Sequence, residues 1–223
     1  MTELIVMRHG ETDWNRQQRF QGQIDVPLNA VGQAQAQRLA QRLAAEPFDI
    51  VVASDLQRAR TTAELAAGGR EMHSDPLWRE QAFGVLEGLD APTIVERHPD
   101  LWTQWLRHDA DFAPPGGESV RTFHARVLRA LQRVVEQHAG ARVAVFTHGG
   151  VLDMLWRAAR QQSLHGPRSC DIPNTGINRL RWRDSALEIV LWGDASHLQG
   201  LPEQPDTTPL GLSDALVPSL QAR

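Results

Sequence analysis

Apolar and polar positions fall into two rhythms along this chain. Short, mainly apolar runs at residues 4–7, 48–53 and 142–147 predict buried strands. Between them, apolar positions recur at helical spacing. Leu39 and Leu43, with small Ala34, Ala36 and Ala40, predict a helix from 30 to about 45, with Asn29 as its N-cap. A second helix is predicted from Ser54 to Ala67, capped by Ser54 with Gln57 as capping-box partner and stopped by Gly68-Gly69. Val120, Phe123, Val127, Leu131, Val134 and Val135 predict a long helix from Ser119 to about 139. Another follows from 151 to about 161. Residues 177–183 and 187–192 alternate apolar with polar around Asp184-Ser185, the pattern of an antiparallel hairpin. Residues 11–23 are polar and predict a loop holding a turn of helix.

The pattern changes at residues 91–113. Pro92 and Pro99 suit the first turns of two short helices, and Trp102, Trp105 and Leu106 give them an apolar face. This stretch is expected to be a cap inserted over a pocket. From 197 to 223 the chain is Pro-rich and weakly patterned, an extended or partly disordered tail. The domain is therefore expected at 1–196. Strands alternating with helices predict an α/β fold: a three-layer α/β/α sandwich, with a mostly parallel sheet and an antiparallel C-terminal edge. Ligands of such sheets gather beyond the carboxyl ends of the strands. Three predicted strands end in reactive side chains: Arg8-His9-Gly10, Ser54 to Arg58, and Thr147-His148-Gly149.

Composition narrows the chemistry. The chain has 223 residues and a formal net charge of −4. It carries no long basic block, which argues against nucleic acid as a partner. All 23 basic residues are Arg, so no Lys serves as a Schiff base or phosphate clamp. The lone Cys170 excludes an intramolecular disulfide and any zinc site built on several thiolates. It fits a reducing compartment, and a cytoplasmic location is expected. No stretch approaches a membrane span, and the N-terminal apolar run is too short for a signal peptide.

In the first strand turn, Gly10 lets the backbone turn sharply and approach a ligand. Arg8 offers a forked cation for phosphate, and His9 a nitrogen nucleophile near neutral pH. Arg58 falls in the first turn of its helix, where free N–H groups already favour an anion. Arg60 is expected to pair with a surface carboxylate. Glu11 is expected to order a loop, and Glu118 to line the pocket or order its loop.

The ordered set LIVMRHGET (4–12), Trp14-Asn15, Phe20-Gln21-Gly22, SDLQRARTTA (54–63), Arg79-Glu80, Phe83-Gly84, Gly117-Glu118-Ser119 and Thr147-His148-Gly149-Gly150 resembles the histidine phosphatase superfamily, the phosphoglycerate-mutase-like group. Arg-His-Gly by itself is a weak signal; the whole set, in order from about residue 3 to 193, is specific. The resemblance implies His9 as a nucleophile forming phosphohistidine, Arg8, Arg58 and His148 around the phosphate, and Glu80 as general acid and base. Glu87 competes for the acid role, and the family register favours Glu80. Asn15, Gln21, Gly22 and Gly149 are expected as secondary substrate contacts. The mechanism implied is metal-free and needs no cofactor.

Two reactions fit that core. The segment 110–119, with its Pro-Pro-Gly-Gly-Glu-Ser, resembles the phosphatase branch and departs from the longer insertion of phosphoglycerate mutases. Phosphomonoester hydrolysis is the reading, bisphosphoglycerate-dependent mutase the alternative. A non-catalytic phospholigand-binding protein is the alternative of another class; it is disfavoured because the nucleophile, both arginines and the second histidine are all present. A small phosphorylated metabolite is the expected partner, with Trp102 and Trp105 favouring a ring-bearing or apolar leaving group. The family often forms homodimers, and the hairpin edge offers a surface for pairing.

Overall fold

The structure is a computed structural model that describes residues 1–205. Its centre is one six-stranded sheet built from β1 (Thr2–Arg8), β2 (Ile50–Ala53), β3 (Met72–Ser74), β4 (Arg142–Thr147), β5 (Ile177–Arg183) and β6 (Ala186–Asp194), in the order β3-β2-β4-β1-β5-β6. The first four positions in that order run parallel; β5 and β6 are antiparallel to their neighbours. Helices cover both faces, so the central strands are buried on both sides and read as continuous apolar runs. In β1, Leu4 and Val6 face one core while Ile5 and Met7 face the other.

The first core packs α6 (Val120–Gln137) and α7 (Gly149–Arg160) on the sheet through Phe123, Val127, Leu131, Val151, Leu152 and Leu155. The second packs α2 (Ala30–Leu43) and α3 (Gln57–Ala66) through Leu39, Leu43, Ala63 and Ala66. A one-turn α1 (Asp13–Arg16) sits in the loop after β1. The short α4 (Ala91–Arg97) and α5 (Pro99–Trp105) form a third cluster with Phe20 and Leu86 around Ile94 and Trp102.

Asn29 and Ser119 cap their helices as expected, accepting from the N–H groups of Gly32 and Thr122. Ser54 does not cap α3, and no capping box forms there. Asp25, from the preceding loop, accepts from the Gln57 N–H at 2.7 Å instead. Gly10 also differs from its expected role. A Cβ there would lie 2.5 Å from the Gly32 carbonyl oxygen in α2, so the residue permits close packing of the turn on a helix. Strand β3 is absent from the sequence pattern: its three residues are mostly exposed and pair with β2 alone.

Residues 197–205 fold back on the body. The His197 ring lies 3.3 Å from the Thr175 hydroxyl, and the Gln204 side chain bonds the backbone of Asn174 at both its N–H and its carbonyl. The remainder of the expected tail, 206–223, lies outside the described residues.

The register of the sheet places the three candidate strand ends side by side. Arg8 of β1 is level with Thr147 of β4, and Ala53 of β2 with Phe146 of β4. The residues that follow, His9, Ser54 and His148, therefore emerge together at the carboxyl edge.

Candidate active site

His9 is almost fully buried, and its Nδ1 lies 2.7 Å from the Gly10 carbonyl oxygen. A carbonyl only accepts, so Nδ1 carries the proton and Nε2 keeps its lone pair. Burial, Arg58 and Arg8 together hold the imidazole well below its ordinary pKa; it is neutral at pH 7. The backbone around it is fixed from three directions. The His9 N–H donates to the Thr147 carbonyl (2.9 Å), Asn174 Nδ2 donates to the His9 carbonyl (2.9 Å), and the Gly10 N–H donates to Thr62 Oγ1 (3.0 Å).

The His148 ring stands 5.2 Å from that of His9. Its Nδ1 accepts from Arg58 Nε at 3.2 Å, so its proton sits on Nε2, which donates to Ser54 Oγ at 2.8 Å. Burial, followed by Arg58, pushes its pKa well down as well. Both ring nitrogens are therefore engaged by the protein. In this arrangement His148 fixes Arg58 and is fixed by Ser54, which lies two residues before the N-cap position, Leu56, and so does not cap α3.

The two arginines decide the character of the site. Arg58 is fully buried and donates to the carbonyls of Ile24 (2.8 Å) and Gly22 (2.7 Å). Arg8 is 8% exposed and donates to the Ile172 carbonyl at 2.8 Å, while its Nε is buried without a hydrogen-bond partner. Burial lowers each guanidinium to about 10, which leaves both charged at neutral pH. Among the described residues neither forms a salt bridge with a carboxylate, whereas Arg16, Arg79 and Arg126 all do. Two buried cations that carboxylates such as Glu80 reach only at a distance are costly. Beside a neutral imidazole with a free nitrogen, they define a dianion site.

Glu80 lies across this site. Its carboxylate accepts from the Gln81 N–H (2.8 Å) and from the Gly150 N–H in the first turn of α7 (2.9 Å). A Cβ on Gly150 would come within 2.1 Å of Glu80 Oε1. Glu87 is engaged elsewhere: its Oε1 accepts from the N–H groups of Gln23 (3.0 Å) and Phe83 (2.9 Å), knitting two loops together. Glu11 is fully buried and holds Arg16 and Asn29. Glu118 orders its loop, receiving a two-pronged bond from Arg126 and the Ala82 N–H. Burial pushes the Glu118 carboxyl up, but those bonds outweigh it and hold it below its usual value.

Of the expected secondary contacts, Gly22 offers its carbonyl to Arg58, and Gly149 opens α7 beside Arg8, where a Cβ would stand 3.4 Å from Arg8 Nε. Gln21 is buried with its Oε1 unpartnered among the described residues. Asn15 uses its Oδ1 in a capping box with Thr12. Arg60 pairs with Glu64.

Beyond Glu80 and Gly150 opens a cavity of about 140 Å³, walled by Phe83, Trp105, Phe112 and Phe123, with Asp153 and Arg168 among its polar lining. Trp105 is where the sequence put it; Trp102 is not, being buried against Phe20, Leu86 and Ile94. Asp153, Arg168 and Arg126 were not legible in the sequence. Each is a charged residue in a helix or loop of ordinary composition, and only the packing brings it to the site. Cys170 is half-buried and burial pushes its thiol up to about 12, so it is no nucleophile.

This arrangement is the frame of a phosphoryl-transfer site carried on an α/β sheet, and comparison with known proteins agrees. The family model for the histidine phosphatase superfamily (branch 1) matches residues 4–195, and the chain belongs to that superfamily. It is 39% identical over 204 residues to phosphoglycerate mutase-like protein 4 of Arabidopsis thaliana, covering 88% of this chain and 87% of that one. It is 36% identical over 206 residues to a metal-independent phosphoserine phosphatase of the same plant, covering 90% and 85%. A phosphoserine phosphatase mutant from Entamoeba histolytica, solved with phosphoserine, superposes with a TM-score of 0.80 at 28% identity, over 89% of this chain and all of that one.

Proposed function

We propose that this chain hydrolyses phosphomonoesters through a covalent phosphohistidine on His9, with Glu80 as the proton donor and acceptor. The observation that carries the reading is the pair of buried guanidiniums of Arg8 and Arg58, neither salt-bridged to a described carboxylate, beside the neutral imidazole of His9. Arg8 and Arg58 bind the phosphoryl oxygens. Nε2 attacks phosphorus as the bond to the leaving oxygen breaks, and Glu80 gives that oxygen its proton. Water then attacks the phosphohistidine, Glu80 takes the proton from it, and inorganic phosphate departs. Charge stabilisation by the preplaced donors supplies the main acceleration. His148 acts by holding Arg58, and Asn15, Gln21, Gly22 and Gly149 shape the substrate's surroundings.

The substrate on this reading is a small phosphorylated metabolite whose alcohol enters the cavity beside Glu80. At about 140 Å³ that space compares with an engineered cavity of roughly 150 Å³ that holds benzene. Residues 91–113 serve as the cap of a domain spanning 1–196, with 197–223 as its tail. The setting is cytoplasmic, supported by the free thiol of Cys170; no described helix is long and apolar enough to cross a membrane. A homodimer would pair through the edge strand β6, where Val190 is 53% exposed.

The test is hydrolysis of p-nitrophenyl phosphate in excess EDTA, wild type beside His9→Ala. Activity should survive the chelator and fall on the order of 10³-fold or more in the variant. Activity that EDTA abolishes, or that His9→Ala retains, overturns the reading. Turnover of a phosphoglycerate between positional isomers in place of phosphate release would establish the mutase alternative.

A further inference from the structure

Arg126 lies on α6 and is 11% exposed. Its guanidinium makes five hydrogen bonds. Nε and one terminal nitrogen grip Glu118 at 2.8 and 2.7 Å. The other terminal nitrogen donates to the carbonyls of Leu77 (3.0 Å) and Arg79 (2.8 Å), and the first donates again, to the carbonyl of Glu80 (2.9 Å). A guanidinium has five N–H groups, so the donor set is fully used. Three of the five bonds fall on carbonyls within the four-residue segment that ends at Glu80.

That segment has little regular structure of its own. It leaves a single 3₁₀ turn at Pro76–Trp78 and runs extended into the next loop. The Glu80 carboxylate is aimed by two N–H groups, those of Gln81 and Gly150, and one of them belongs to the residue that directly follows this segment. A fixed carboxylate needs a fixed backbone beneath it. Glu118 completes the frame from the far side: it holds Arg126 and also accepts from the Ala82 N–H at 3.0 Å. The guanidinium further stacks over Phe123, 4.9 Å from its centroid, and Phe123 walls the cavity.

We infer that Arg126, braced by Glu118, is a positioning residue that sets the Glu80 carboxyl at the leaving oxygen. It touches no substrate and acts through the backbone of residues 77–80. The inference rests on the proposed role of Glu80 as the acid, and the experiment separates the two.

A general acid matters in proportion to how poorly the leaving group departs. An alkoxide needs a proton; p-nitrophenolate leaves without one. Loss of acid placement therefore depresses alkyl esters and spares activated aryl esters, whereas general loss of structure depresses both alike. Benzyl phosphate and p-nitrophenyl phosphate are matched in ring size and differ in this respect. The measurement is kcat/KM on both, for wild type, Glu80→Gln, Arg126→Lys and Glu118→Gln. Lysine keeps the charge but offers three donors at one point and cannot span five acceptors.

For Arg126→Lys the expected result is a fall of roughly 10- to 100-fold on benzyl phosphate and less than about threefold on p-nitrophenyl phosphate. Glu118→Gln should show the same selectivity with a smaller fall, and it decides the matter if Arg126→Lys does not yield folded protein. Selective loss in Glu80→Gln, with equal or no loss in both clamp variants, overturns the inference and leaves Glu80 as the acid. Equal loss on both esters in Glu80→Gln overturns the acid assignment and the clamp with it.

Discussion

A buried neutral imidazole at position 9 leaves a thermodynamic mark. His9 is 3% exposed, and burial with Arg58 and Arg8 holds its pKa well below 6.5 in the folded protein. The unfolded chain takes up the proton near 6.5. Between those values the unfolded state binds more protons, so stability falls as pH falls. For a group that stays neutral in the fold throughout, the loss from pH 7 to pH 5 is about 2 kcal/mol. His9→Gln removes the titration while keeping a polar side chain in place. The stability of wild type relative to His9→Gln should therefore drop between pH 7 and pH 5, by up to about 2 kcal/mol. Urea denaturation at the two pH values and one ionic strength measures it, and titrations of the other histidines largely cancel in the difference. A difference that stays constant to within about 0.5 kcal/mol would show that folded His9 protonates normally, and that its Nε2 is not kept available by its surroundings.

Other expectations follow from single contacts. Gly22 has a φ of +51°, and a Cβ there would lie 2.0 Å from Glu87 Oε1; Gly22→Ala should cost about 2 kcal/mol or more, visible as a lowered Tm and as weakened phosphate binding through Arg58. Asp25→Ala removes the acceptor for the Gln57 N–H and should cost about 1 kcal/mol, a Tm drop of about 2–4 °C for a chain this long. Asn174→Ala leaves the buried His9 carbonyl without its donor and should cost about 1–3 kcal/mol, with kcat lowered more than KM is raised.

The strand ends and most helix starts could be read directly, because their causes are local. An apolar run buried on both faces has one appearance, and Asn29 and Ser119 sit beside the N–H groups they satisfy. The failures have distant causes. Asp25 caps α3 from 32 residues earlier in the chain, so Ser54 and Gln57 imitated a capping box that the fold uses for other purposes. Strand β3 exists because β2 offers it a free edge, and its three residues carry no pattern of their own. Arg126 resembled any polar residue of an amphipathic helix. The sole trace was Glu118 upstream, whose loop-ordering role the sequence left open. At the site, Arg8, His9 and Arg58 stood out as strand-end and helix-start chemistry, whereas the roles of His148 and Glu80 came from resemblance in ordered motifs. The tautomer of each histidine came only from geometry, since it depends on Gly10, Arg58 and Ser54 as neighbours.

Three residues of the loop before β5 hold the end of β1: Ile172 takes a bond from Arg8, Asn174 gives one to the His9 carbonyl, and the Thr175 N–H gives one to the Arg8 carbonyl at 3.1 Å. His9 is thus made more than 160 residues before the groups that seat it. At roughly 5–20 residues per second, strand β1 waits about 8–32 seconds for its frame. Central β1 likewise lacks both its partners, β4 and β5, until late in synthesis. Such long-range pairing is slow to form and exposes apolar surface meanwhile. The site is therefore assembled only once the loop before β5 has been made, so its order is tied to the closing of the sheet around β1.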